Sequence, residues 1–404
     1  MSKLATSTMQ GACAALLLCA AASGAQNPAP ARTSAARGRS ALSRELRDSL
    51  AFVLRGAVED HAFPGAYAIV GDSRGILAEY GAGHLDWSQS PAPDRHTLWD
   101  LASLTKILVT TTALAQLVER GRVSLDSSVQ RYLPDWTGPG KELVSVRHLL
   151  THTSGLLAFK DYDKQTHDKD SLAALLFSTP LERPPGEKMV YSDIGAFLMG
   201  RIVERVSGER LDRYAVAHVF GPLRMHETMF KPPRSLLARI APTEFDSTRG
   251  GLLRGMVHDE RAYYLGGIAA HAGLFSSAAD LSRFATMLLR NGTLDGTRVL
   301  RSATLRQFTA YQDSASHNRA LGWQKLPASW GGTLMSSDAF GHTGFTGTSI
   351  AIEPALDLYI ILLSNRVNPT RNNPKIGDVR SRLADAVVAA VRGTHAETTN
   401  AHLP

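Results

Sequence analysis

Beyond position 19 the 404-residue chain contains no cysteine; its only two are Cys13 and Cys19. Both lie in a stretch that reads as a secretory signal. Lys3 gives it a positive start, residues 11–22 form an apolar core, and Ser23-Gly24-Ala25 offers a small-residue cleavage site. A mature form starting at Gln26 would carry no thiol, which excludes a disulfide framework, a thiol nucleophile and a cysteine-ligated metal. Leu18 is bulky for the cleavage that precedes lipid attachment at a cysteine, so a lipid anchor at Cys19 is disfavoured. No later apolar run is long enough to cross a bilayer, and the chain is expected to be exported, secreted or periplasmic. Basic runs interleaved with aromatics are missing as well. The net charge of +7 is modest for this length, and aromatics make up 7%. Only Arg32, Arg37, Arg39, Arg44 and Arg47 cluster, as a solvated arm, so nucleic acid is not an expected partner. There are no internal repeats.

What is present divides the chain into a signal (1–25), an Ala/Pro/Ser/Arg-rich flexible linker (26–40), one domain (41–395) and a short tail (396–404). Leu42, Leu46, Leu50, Val53, Leu54 and Val58 recur at helical spacing. Residues 66–70 and 75–80 read as strands around the Gly71–Gly75 turn. Residues 103 to about 291 are mainly helical, with helices expected at 193–207 and 277–290, the latter opened by a Ser277–Asp280 capping pattern. Residues 349–353 and 356–363 read as strands, and 378–391 as a closing amphipathic helix. The expected fold is α+β. An antiparallel sheet built from both chain ends (41–100 and 320–395) is flanked by helices, with a helical lobe (101–319) inserted.

The chemistry starts at Trp99-Asp-Leu-Ala-Ser-Leu-Thr-Lys106. Ser103 and Lys106 are three apart and share a helix face. A serine hydroxyl becomes nucleophilic when a neighbouring base takes its proton, and a helix start aims backbone N–H groups at an oxyanion. The helix from Leu104 to Val118 is apolar nearly all round and therefore buried, which makes Lys106 unlike a solvated surface lysine. Three further segments stand out. Tyr191-Ser192-Asp193 precedes an apolar helix, His342-Thr343-Gly344-Phe345 precedes a strand, and Gly266 to Phe275 precedes the Ser277 helix.

On these segments the chain resembles the penicillin-recognising serine hydrolases, the superfamily of class C β-lactamases, D-Ala-D-Ala carboxypeptidases and β-lactamase-like esterases. The likeness covers residues 45–392, with the S-x-x-K, Y-x-N and K-T-G signatures in the family's order. The phrases Arg147-His-Leu-Leu-Thr-His-Thr-Ser-Gly155 and Gly221-Pro-Leu-Arg-Met-His-Glu-Thr228 add to it. The resemblance implies a β-lactamase/transpeptidase-like fold and an acyl-enzyme on Ser103. Lys106 would accept or steer the serine proton, and Tyr191 would carry it to the leaving group, with the choice of general base between them left open. Ser103 N and Phe345 N would form the oxyanion hole, and Asp193, His342, Thr343 and Gly344 would line the substrate. No cofactor and no metal is implied. The substrate would be a small molecule or peptide (short-chain ester, D-amino-acid peptide, peptidoglycan or β-lactam), and oligomeric state leaves no trace in the pattern.

Two positions depart from the family. Asp193 stands where asparagine is usual; a carboxylate only accepts hydrogen bonds, so it would hold Lys106 charged and bind an amide carbonyl poorly. His342 stands for lysine and is expected to be partly protonated near neutrality, giving a weaker, pH-dependent pull on a substrate carboxylate. Both tilt the expectation toward an esterase or a narrow peptidase. A class A reading fails because Ile194 follows Ser192-Asp193 and the E-x-x-L-N segment is missing. A catalytically inactive peptidoglycan-binding scaffold is the alternative. His148 and His152 are four apart but lack the intervening glutamate of a zinc protease, so a structural turn is expected there. His271, Tyr263, Tyr264 and Trp330 are expected to pack in or near the cleft.

Overall fold

The computed structural model describes residues 31–88, 90–312, 318–328 and 330–400. The expected signal, residues 26–30 of the expected linker and residues 401–404 of the tail lie outside them. The first helix, Ala31–Glu59, begins well before Ala41. Residues 31–40 are therefore helical rather than linker. Arg39, from the supposed solvated arm, pairs with the buried Asp72 carboxylate. The closing helix, Ile376–Asn400, likewise outruns its expected end. No described helix is long and apolar enough to cross a membrane.

One six-stranded sheet organises the molecule. Its order from edge to edge is Gln324–Lys325, Phe340–Thr343, Ser349–Glu353, Leu358–Ser364, Gly65–Asp72, Gly75–Gly83. All neighbours are antiparallel. The strand Gly65–Asp72 joins Leu358–Ser364 through Ala66 opposite Ser364 and Ile69 opposite Ile361, so both ends of the domain meet in the sheet's middle.

Alternation along these strands assigns the two faces. Ala66, Ala68 and Val70, with Leu358, Ile360 and Leu362, pack under Leu46, Leu50 and Leu54 of the first helix and Val379, Val387 and Val388 of the last. Tyr67 and Ile69, with Tyr359, Ile361 and Leu363, face the main core. Because both faces are covered, Leu358–Ser364 is buried along its whole length and reads as an unbroken apolar run. The helix Ala278–Leu289, capped by Ser277 accepting from Asp280 N at 3.2 Å, packs on this second face against Gly65–Asp72 and Leu358–Ser364. It was expected within the helical lobe; its apolar stripe instead covers the sheet.

Two local features aim the rest of the chain at Ser103. A small sheet orders Trp99–Asp100, Leu274–Ser276 and Met229–Phe230 side by side, fixing the segment that runs into Ser103. The expected single helix after Ser103 starts as a wider π-helical stretch, Lys106–Thr111, before continuing as Thr112–Glu119. Thr112 Oγ1 donates to Ile107 O at 2.7 Å, and Thr110 Oγ1 reaches across to Ala270 O at 2.7 Å. Such bulges concentrate at functional sites.

Candidate active site

Ser103 follows Ala102, whose φ of 46° lies in the left-handed region. A residue with a Cβ pays strain there and stays only when its surroundings hold it. The holder is Asp100. Its buried carboxylate accepts from Ala102 N at 2.8 Å and, through its other oxygen, from His258 N at 2.6 Å. Burial raises the pKa of Asp100, against the lowering effect of those two amides and of nearby His258.

Lys106 is buried under the same turn. Its Nζ donates to Ser103 Oγ at 3.0 Å and to His271 O at 3.1 Å. It also lies 2.8 Å from Asp193 Oδ1, an ion pair without hydrogen-bond alignment. Burial alone would push the lysine toward the neutral amine, but Asp193 and Tyr191 outweigh it and raise its pKa. An ammonium can only donate, so in this state Lys106 does not receive the serine proton.

Asp193 opens the helix Asp193–Ser207, with Ser192 as N-cap accepting from Gly195 N at 3.0 Å. Burial disfavours its charge, yet Lys106, His271 and Arg261 hold its pKa below the ordinary value. Arg261 Nη2 lies 3.2 Å from Asp193 Oδ2 and 3.4 Å from Asp259 Oδ2. Asp259 in turn accepts from His271 Nε2 at 3.0 Å. Charges therefore alternate along Lys106, Asp193, Arg261 and Asp259, and the set returns to Lys106 through the His271 carbonyl.

Tyr191 packs beside this set. Its ring centroid is 4.8 Å from Lys106 Nζ and 5.3 Å from the Arg319 guanidinium carbon. The His152 and His342 rings lie 4.6 and 5.8 Å away. Its phenol oxygen is buried and makes no hydrogen bond. Lys106 thus bridges Ser103 and Tyr191. His152 accepts from Ser192 N through Nδ1 at 3.1 Å, and its carbonyl accepts from Val190 N at 2.8 Å. It is a wedge that seats Tyr191. Burial, with Arg319 and Lys106 nearby, keeps its pKa well below the usual range.

His342 corrects an expectation. Its Nδ1 lies 2.8 Å from Thr343 O, and a carbonyl only accepts, so Nδ1 carries the proton. Nε2 is then a bare lone pair, buried without a partner. Burial first, then Arg319 and Lys106, push its pKa down to about 3. The ring is neutral at ordinary pH, not partly charged, and offers no pull on a carboxylate.

The turn after His342 is fastened to the segment before Ser103. Thr346 Oγ1 donates to Asp100 O at 2.6 Å and Thr348 Oγ1 to Leu101 O at 3.1 Å. Gly344 N donates to Thr348 O at 2.7 Å, and Arg380 donates to Gly344 O and Thr348 O, each at 2.8 Å. A Cβ on Gly344 would collide with Thr348 Oγ1 and Leu101 O, so only glycine permits this approach. Among the described residues, neither Ser103 N nor Phe345 N donates to a protein acceptor. The Phe345 ring is half exposed, stacked on His258 at 5.6 Å and under the Arg366 guanidinium at 4.3 Å.

The remaining sequence candidates lie elsewhere or serve the frame. His148 Nδ1 accepts from Ser145 N at 3.2 Å, closing a capping box. No group of three potential metal ligands exists among the described residues. Trp330 Nε1 donates to Gln324 Oε1 at 2.9 Å, and Tyr263 and Tyr264 line a separate cavity. Asp100, His258, Asp259, Arg261 and Arg319 had not been singled out. For Asp100 a signal existed, since it stands three residues before Ser103.

A family model described as Beta-lactamase matches residues 50–384. A protein of Escherichia coli (strain K12) called "Putative D-alanyl-D-alanine carboxypeptidase" is 33% identical over 310 residues, 69% of this chain and 71% of that protein. A protein of the same name from Salmonella typhi is 32% identical over 313 residues, 70% and 72% of the two chains. Among solved structures, a penicillin-binding protein homologue from Caulobacter crescentus superposes with a TM-score of 0.69 at 24% identity, over 87% of this chain and 97% of that one. EstCE1, a hydrolase with promiscuous acyltransferase activity, also gives 0.69, at 21% identity over 86% and 99%. At those identities the structures speak for the fold alone.

Proposed function

Since the chain belongs to the β-lactamase family of serine hydrolases, we propose that it hydrolyses an ester or amide through an acyl-enzyme on Ser103. The observation that carries this reading is the 3.0 Å contact from Lys106 Nζ to Ser103 Oγ, on a lysine kept charged by Asp193.

The reactive form is the Lys106–Tyr191 pair one proton short, with the ammonium on Lys106. Tyr191 takes the proton as Ser103 Oγ attacks the carbonyl carbon, with the Lys106 and Arg319 cations beside its ring. The carbonyl oxygen, now negative, is held by Ser103 N and Phe345 N; one such donor is typically worth roughly a hundredfold in rate. Tyr191 then gives its proton to the departing alcohol or amine. A water, deprotonated by the same pair, attacks the acyl carbon and returns the serine.

The carboxypeptidase relatives support a peptide with a D-amino-acid terminus as one substrate class. The neutral His342 and the carboxylate of Asp193 support esters as another, because neither side chain offers a donor or a cation to a substrate carboxylate. Export through residues 1–25 belongs to the same reading. An inactive scaffold is not favoured, since a decayed site has no need to keep a buried lysine charged against its nucleophile.

Intact-mass spectrometry tests the proposal. Protein recovered from a secreting host is incubated in turn with a short-chain ester, a D-Ala-D-Ala peptide and a penicillin. The expected result is a mature chain beginning at Gln26 that gains one acyl mass with at least one compound, and a Ser103→Ala variant that gains none. An adduct or turnover that persists in Ser103→Ala refutes it.

A further inference from the structure

The loop from Gly266 to Gly273 has two sides. One presents the His271 carbonyl to Lys106. On the other, Gly267 and Gly273 floor a cavity of about 660 Å³ that none of Ser103, Lys106, Tyr191 or Phe345 lines. That volume is in the range of small-molecule sites, roughly 300–1,000 Å³.

Its charge is one-sided. Lys231 and Arg234, both exposed, line it together with the His167 ring, and no carboxylate does. Among the described residues neither the Lys231 nor the Arg234 side chain makes a hydrogen bond or ion pair. Cations gathered in a concave wall without counter-charge focus a positive potential. Lys231 is also set deliberately. It stands at φ 50°, a strained position for a side chain, and Pro232 and Pro233 follow it. Its stem crosses Gly267, where a Cβ would fall 3.0 Å from Lys231 Cγ. The bare glycine lets the lysine lie flat against the floor.

Aromatic groups supply the rest of the wall. The His167 ring stacks on Tyr264 with centroids 4.0 Å apart and planes 4° from parallel. Tyr263 meets Tyr264 edge-on at 5.1 Å and 68°, and Phe275 closes the apolar side. A flat ring can stack there while its charge meets Lys231 and Arg234.

We propose that this cavity is a binding site, distinct from the hydrolytic cleft, for a small molecule that joins an anionic group to a flat apolar ring. The probe is 8-anilinonaphthalene-1-sulfonate, followed by fluorescence titration, with the uncharged N-phenyl-1-naphthylamine as its partner. The full chain should bind the sulfonate saturably and the uncharged analogue more weakly. The Lys231→Gln/Arg234→Gln variant should bind the sulfonate at least about tenfold less tightly, since two close charge contacts are lost. Either single variant carries the comparison if the pair does not fold, as read by circular dichroism. Ser103→Ala should bind as the parent does, which separates this site from failure of the hydrolytic reading. Equal affinity for the uncharged analogue, or undiminished binding by the folded glutamine variants, overturns the proposal. So does inhibition of ester turnover that competes with substrate and persists in those variants, because the probe would then occupy the cleft.

Discussion

Replacing Asp193 by asparagine keeps its shape and removes one charge from between two cations. At 2.8 Å from Lys106 and an effective dielectric of ~20, the lost attraction is roughly 6 kcal/mol. The Arg261 contact at 3.2 Å loses roughly 5 kcal/mol on the same basis. Arg261 keeps Asp259, so its charge remains answered. Lys106 keeps Tyr191, the Ser103 hydroxyl and the His271 carbonyl, none of them a carboxylate. An effective burial penalty of several kcal/mol for an ammonium then meets nothing of comparable size, and the lysine should give up its proton far more readily.

Two measurements follow from that sign. In the parent, the pKa of Lys106 is raised on folding. Its contribution to stability is complete below its unfolded value, about 10.4, and is lost as pH rises through the folded value. In Asp193→Asn the folded value falls below the unfolded one, so stability should rise with pH across the interval between them. Between about pH 5 and 10 this group should therefore leave the parent's thermal melts level, while those of Asp193→Asn should rise toward the alkaline end. The acid limb of kcat/KM reports the first proton lost from the Lys106–Tyr191 pair. Removing a negative charge makes that loss easier whichever residue holds the proton, so the limb should move to lower pH. Coincident melts and coincident limbs would refute the electrostatic account of Lys106.

Asp100→Asn keeps one acceptor and turns an amide N–H toward the other donor. With Ala102 or His258 released, Ser103 loses its fixed approach, and kcat should fall by roughly tenfold to a hundredfold while KM stays within about twofold; a rise in KM with kcat unchanged would count against a positioning role. His342 is neutral in the fold, with a pKa of about 3 against the ordinary 6.5. Its protonation favours the unfolded chain, so stability should climb with pH between those two values, and His342→Gln should flatten that part of a melting-temperature profile while leaving no limb near pH 6.5 missing from kcat/KM. A kinetic limb near that value that disappears in His342→Gln would show that the ring titrates in the working enzyme.

The sheet and the contact between Ser103 and Lys106 were legible because both rest on short-range spacing. Alternating residues at 66–70 and 349–363 declare their two faces, and Ser103 and Lys106 are one helical turn apart. The start of the first helix was missed because Ala, Ser and Arg at 31–40 carry no apolar rhythm. The helix Ala278–Leu289 was placed in the wrong lobe because amphipathic spacing names a buried face without naming what buries it. The wider turn at Lys106–Thr111 is equally invisible, since a run buried on every side fits either winding.

The charge state of the site is a different matter, and it explains why the two departures from the family pattern were only half understood. Asp193 was read correctly as an acceptor that holds Lys106 charged, because that follows from its chemistry alone. What sequence spacing could not supply is Arg261, which lies far along the chain and offsets the second carboxylate oxygen. An aspartate in that place without the arginine would leave a buried negative charge only half answered. Asp193 and Arg261 make physical sense together, with Asp259 behind them. His342 was misread for the same reason: a histidine's charge depends on what surrounds it, and here Arg319, Lys106 and burial leave no room for another cation. A one-dimensional pattern can therefore bring Ser103, Lys106, Asp193 and His342 to notice, while their protonation is decided by partners that only folding brings beside them.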